Sequence, residues 1–217
     1  MTDQELVDAL AEVWSSIDVV CAPLSKAEWS TLTECPGWTV QDNVAHIIGI
    51  EAMSMGIATP ELDPPEAPHI KNDVGRMNEI WVESMRALEG AAVLARFREV
   101  TGGRIAALRA LDADGFGGES WTPVGPGTVR DLLPFRMFDS WVHEQDIRRA
   151  LGTPGHLTGP AAEVEHDGGA VGRLHLLADH VGHRADDALD RCLGGGPGEV
   201  SRRTERAPDV LLVHPAI

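Results

Sequence analysis

Residues 36–51 read PGWTVQDNVAHIIGIE, and the architecture of most of the chain can be worked out from this stretch. Pro36-Gly37 is a turn pair. Thr39, with Asp42 three residues later, forms a capping box in which hydroxyl and carboxylate satisfy orphan amide donors reciprocally. Val40, Val44, Ile47, Ile48 and Met55 then recur at helical spacing, so the stretch predicts a helix that ends before Pro60. His46 lies among its apolar residues, where a lone histidine is ordinarily a core residue with one hydrogen bond.

The same start signal occurs three more times, as Thr2 with Glu5, Ser25 with Glu28 and Thr128 with Asp131. Leu6, Leu10, Val13, Trp14 and Ile17 follow the first and give a helix to about Val20, whereas Ser25 opens only a short turn. The stretch TPELDPPEAPH, residues 59–69, carries four prolines and reads as a surface connection. From Asn72 helical periodicity returns through Val74, Met77, Ile80, Trp81, Met85 and Leu88. It continues to Leu111, with Gly102-Gly103 as the expected kink. The glycine-rich segment 112–127 around Trp121 reads as a surface loop. A last long helix runs from Thr128 to Leu151 and stops at Gly152, with Pro134 in its second turn either bending it or starting it afresh.

Long helices with almost no strand alternation predict a mainly α fold, a helical bundle over residues 1–152. Residues 153–217 have a different texture, without aromatics and rich in glycine and histidine. Leu174, Leu176, Leu177 and Val181 offer one helix face and VLLV at 210–213 a short strand. A small, divergent C-terminal appendage, either α+β or partly disordered, is expected there.

Composition excludes several classes of function. The 217 residues are 43% hydrophobic, enough for a real core, and no apolar run is long enough for a membrane helix. The start, MTDQELVDALAEVW, is acidic where an export signal would be basic and then apolar, which predicts a cytoplasmic protein. A net charge of −16, from 34 acidic against 18 basic side chains, repels phosphate backbones and argues against a nucleic-acid partner. Cys21, Cys35 and Cys192 are odd in number and without C-x-x-C spacing, so they read as reduced thiols.

The last long helix contains FRMFDSWVHEQDIRRALG, residues 135–152, in which Asp139 and His143 are four apart and project from one face. A carboxylate and an imidazole on adjacent turns can share a divalent ion, and His46 from a facing helix would supply a third ligand. Three protein ligands leave coordination positions open, as catalytic sites do. On spacing alone two readings stand: this metal triad, or Asp139 orienting His143 or pairing with Arg136 on a solvated face. Asp146 is either a hydrogen-bond partner of His143 or a surface partner of Arg149, and Glu144 points to another face. Trp38 is expected as a staple on the first turn of its helix, and Cys35 as a plain buried or turn cysteine. His175, His180 and His183 form a rival cluster, read first as a solvated or disordered tract.

Together the two quoted stretches resemble the signatures of the mycothiol-dependent maleylpyruvate isomerase family, a branch of the DinB-like metal-binding four-helix bundles. The resemblance covers roughly residues 1–152. It implies that the histidine of P-G-W-[ST]-V-x-D-x-x-x-H and the acid and histidine of an E-x-x-x-H-x-x-D-type stretch bind a divalent metal, usually zinc. Here these are His46, Asp139 and His143. The aspartate departs from the family's glutamate and shortens the reach by one methylene. The family's C-terminal domain, which helps hold the thiol, has no match after Gly152.

The implied function is an enzyme that uses a low-molecular-weight thiol, mycothiol, for isomerisation or thiol transfer on a small electrophilic substrate. In the isomerase chemistry a thiolate adds to a conjugated double bond, allows rotation and is expelled. The reading from a different class is a non-catalytic metal-binding or regulatory module. Either leaves the oligomeric state open.

Overall fold

Each long helix begins where a short polar side chain can satisfy its first amides. In the computed structural model, which describes residues 1–162, all four capping boxes form, at Thr2, Ser25, Thr39 and Thr128. They open α1 (Asp3–Cys21), the single turn α2 (Lys26–Trp29), α3 (Val40–Ser54) and α7 (Val129–Ala150). Asn72 caps α4 (Asp73–Arg86) through its side-chain oxygen, while Glu89, at the start of α5 (Gly90–Arg109), makes no side-chain cap.

The four longest helices close a ring: α1 packs on α5 and α7, and α3 packs on the same two. Their apolar stripes meet in one core that includes Leu10, Val13, Trp14, Ile48, Phe97, Met137 and Trp141. The fold is thus mainly α, a four-helix bundle, with α4 packed along α3. Gly49 permits that approach, because a Cβ there would lie 2.5 Å from the Trp81 ring of α4.

Two expectations need correction and a third is narrowed. The helical run from Asn72 to Leu111 is not one helix. It breaks at residues 87–89, and α5 passes through both glycines, whose neighbours are fixed by core contacts of Val100, Thr101, Arg104 and Leu108. Segment 112–127 is more than a loop: it holds the turn α6 (Ala113–Phe116) and most of an antiparallel hairpin, β1 (Glu119–Thr122) with β2 (Gly125–Thr128). Phe116 anchors it in the core. Pro134 does not start a helix afresh, since α7 runs continuously around it, and of the two expectations the bend is the one compatible with that.

After Gly152 the chain turns back over α7. The Trp141 indole donates to the His156 carbonyl at 2.7 Å, the His156 amide donates to the Gln145 side chain at 2.9 Å, and Ala161 and Ala162 are buried. The expected helix around Leu174–Val181, the strand at 210–213 and the cluster of His175, His180 and His183 lie outside the described residues. Among the described residues no helix is long and apolar enough to cross a membrane.

Candidate metal centre

The packing of α3 against α7 brings His46, Asp139 and His143 together. His46 Nε2 lies 3.3 Å from Asp139 Oδ2, and His143 Nε2 lies 3.7 Å from Asp139 Oδ1. The two imidazoles meet edge to face with ring centroids 4.7 Å apart. Donors about 2.0–2.2 Å from a tetrahedral ion are themselves separated by about 3.4 Å, so the two nitrogen–oxygen separations and the N, N, O donor set suit zinc or a similar divalent ion. Both histidines are buried, and Asp139 is the ligand candidate with a partly exposed side chain.

Asp139 therefore does not lie on a solvated face. It also accepts from Arg136 Nη1 at 3.0 Å, and Arg136 Nε donates to Glu51 of α3 at 2.7 Å. Arg104 of α5 reaches the other Glu51 oxygen at 3.4 Å. This buried charge chain ties the candidate ligand to three bundle helices. On another side of α7 Glu144 is fully buried, bonded to Ser16, Arg148 and His156, so it does face away from the centre.

The electrostatics favour ionised aspartate and at least one neutral imidazole. Burial pushes His46 down to about 4, although Asp139 works against it. Burial also opposes charge on His143, but Asp139 and Asp146 outweigh it and hold this group above its ordinary value. For Asp139 burial is overcome by Arg136 and the two histidines, which keep it well below the usual carboxylate range.

Sequence reasoning missed three neighbours. Trp38 is buried, as a packing residue should be, but it also reaches the candidate ligands: its ring lies 5.1 Å from that of His46 and 5.9 Å from that of His143, and its Nε1 donates to Glu79 at 2.9 Å. The buried Glu79 carboxylate also meets His69 at 3.0 Å and Arg86 at 2.6 Å. Gly37 at φ 80° lets the preceding turn close, and a Cβ there would meet the His69 ring at 2.7 Å. Cys35 is buried as expected, yet its Sγ is 3.7 Å from His143 Nδ1 and 3.1 Å from Asp146 Oδ2. Asp146 pairs with Arg149 as one of its two expected roles, but it does so as a buried carboxylate, and it lies 3.6 Å from His143 Nδ1, close enough for charge attraction and too far for a hydrogen bond. Asn43 Oδ1, which drew no notice in sequence, is 2.8 Å from His143 Nδ1. The local signal was only its place three residues before His46, on the same helix.

Residues 10–148 match the family described as the Mycothiol maleylpyruvate isomerase N-terminal domain. The chain belongs to that family. Its bundle also resembles the crystal structure of the mycothiol-dependent maleylpyruvate isomerase, with a TM-score of 0.53 and 19% identity over 68% of this chain and 61% of that one. A histidine-to-alanine mutant of that enzyme matches with a TM-score of 0.50 and 18% identity over 71% and 62%. At that identity the likeness establishes the DinB-like fold alone. Two Mycobacterium tuberculosis proteins, the uncharacterized proteins MT0041 of strain CDC 1551 / Oshkosh and Rv0036c of strain H37Rv, are each 25% identical over 154 residues. The alignment takes in 70% of this chain and 58% of those relatives.

Proposed function

We propose that the chain is a divalent-metal-dependent enzyme that uses a low-molecular-weight thiol, mycothiol, to isomerise a small electrophilic substrate or to transfer the thiol to it. The supporting observation is the convergence of His46, Asp139 and His143 from two packed helices, their ligand atoms all within 4.8 Å of one another, in a bundle of the mycothiol maleylpyruvate isomerase family. A bound zinc ion would supply Lewis acidity and favour the thiolate form of a coordinated thiol. The protein's part is to hold the donors. His46 is neutral at neutral pH because of its burial, and Arg136 keeps Asp139 ionised and oriented. Trp38 shields one side of the two imidazoles from water.

An electrophile carrying a conjugated double bond suits this arrangement, since the same thiol site serves addition, rotation and expulsion or simple conjugation. The reaction takes place in the cytoplasm, and the net charge of −16 suits a small-molecule site better than a nucleic-acid surface. The test is the thermal stability of the zinc-loaded protein with mycothiol and with glutathione. A ligand at about 100 times its Kd stabilises by about 2.7 kcal/mol, so mycothiol is expected to raise Tm by several degrees and glutathione to have little effect. No response to any thiol, with metal bound, would favour a non-catalytic metal-binding module instead.

A further inference from the structure

His143 lies between two clusters. Its Nε2 faces Asp139 and His46, while its Nδ1 faces Cys35 Sγ and Asp146, which with it make a second group of three potential ligands. A neutral imidazole has one lone pair, so its tautomer decides which cluster can receive an ion. Distances alone do not decide, because the Cys35, His143 and Asp146 donors are also 3.1–3.7 Å apart.

Asn43 does decide. One end of its amide lies 2.9 Å from the backbone carbonyl of Thr39, which can only accept, so that end is the Nδ2 donor. The same Nδ2 is 3.0 Å from Thr33 Oγ1, whose own proton goes to the Trp38 carbonyl at 3.0 Å, leaving the hydroxyl to accept. Oδ1 is thereby turned towards His143 as an acceptor, and at 2.8 Å the facing ring nitrogen must carry a proton. The lone pair then sits on Nε2. On the other side, the Cys35 thiol finds acceptors in Asp146 Oδ2 at 3.1 Å and Asn43 Oδ1 at 3.3 Å, which accounts for its proton without an ion. His46 has no such lock, for its Nδ1 is buried without a hydrogen-bond partner.

We infer that Asn43 is a positioning residue that holds His143 as the Nδ1–H tautomer and so directs a divalent ion to the His46, Asp139 and His143 cluster rather than to Cys35 and Asp146. The inference rests on the proposed metal site, but the tautomer can be measured without metal. Long-range proton–nitrogen correlation of the histidine rings, in the metal-stripped full chain at alkaline pH, is expected to show His143 protonated at Nδ1, with the signals assigned by comparison with His143→Gln. An Nε2–H signal would overturn the inference, and this readout does not depend on any Asn43 variant folding.

Cobalt binding tests the consequence. The wild type is expected to bind cobalt without a thiolate-to-metal charge-transfer band. Asn43→Leu should weaken binding about 10- to 100-fold, the usual effect of losing a partner behind a ligand histidine. Asn43→Asp, which keeps an acceptor at that place, should recover most of the affinity. A charge-transfer band that disappears in Cys35→Ser would contradict the selection, as would unchanged affinity in Asn43→Leu. A wild type that binds no cobalt would remove the metal reading and the selection with it, while the ring signals would still judge the tautomer.

Discussion

At the scale of single residues, the buried charges around Asp139 outweigh every surface pair. Glu51 is fully buried and is the shared partner of Arg136 and Arg104, themselves almost fully buried. Glu51→Gln leaves two guanidinium groups short of a counter-charge, and a loss on the order of 3 kcal/mol is expected in urea unfolding. Lys26→Ala, which removes a pair between side chains 81% and 70% exposed, should cost less than about 1 kcal/mol. Metal uptake should also depend on pH in a definite direction. Burial lowers His143, but Asp139 and Asp146 together raise it above the ordinary histidine value, so an ion must displace its proton below that raised pKa. Affinity is therefore expected to be full above it and to fall about tenfold per pH unit below it, as read by competition with a chelator. The convergence of His46 with Asp139 and His143 was legible from an i, i+4 pair and the family signature. Asn43, Trp38 and Cys35 were not, because their contacts with His143 cross about 100 residues of sequence, as the separations of 100 and 108 for Asn43 and Cys35 show.

Among the elements, what is local was readable and what is tertiary was not. The capping boxes at Thr2, Ser25, Thr39 and Thr128 need only residues three apart, and all four form. Thr128→Ala should therefore cost about 1 kcal/mol, seen as a lower urea midpoint with unchanged slope, since α7 loses its amide acceptor but none of its core residues. The break at residues 87–89 carries no proline or start signal, and Glu89 makes no side-chain cap, so periodicity ran across it. The hairpin of β1 and β2 escaped notice because its strands are only four residues long, ESWT with a single apolar residue and GPGT with glycine and proline, so neither shows alternating apolar residues. Helix packing leaves a weaker trace still: Gly49 looks like a flaw in α3 until the Trp81 ring is placed against it. Gly49→Ala adds a methyl where no space exists, and a destabilisation of about 1–3 kcal/mol is expected, against the usual gain from alanine in a helix.

For the whole molecule, one apolar core spans the bundle, so a bound ion would add to stability without being a condition for folding. The family sequence signatures lie on the two helices that carry the candidate ligands, which is why the bundle and the meeting of His46, Asp139 and His143 could be anticipated together while the residues beyond 152 could not. The alignment takes in only 58% of the matched relatives' length, so the proposed thiol site is tested separately from metal binding. Metal binding is the central claim, and an equilibrium zinc titration of the chelator-stripped protein tests it most directly, run in parallel on His143→Ala. The wild type is expected to take up one ion per chain and to gain thermal stability as it does so, and His143→Ala to keep its helical circular dichroism while losing that uptake. A wild type that binds no zinc, or a folded His143→Ala that binds it as tightly as the wild type, would contradict the account.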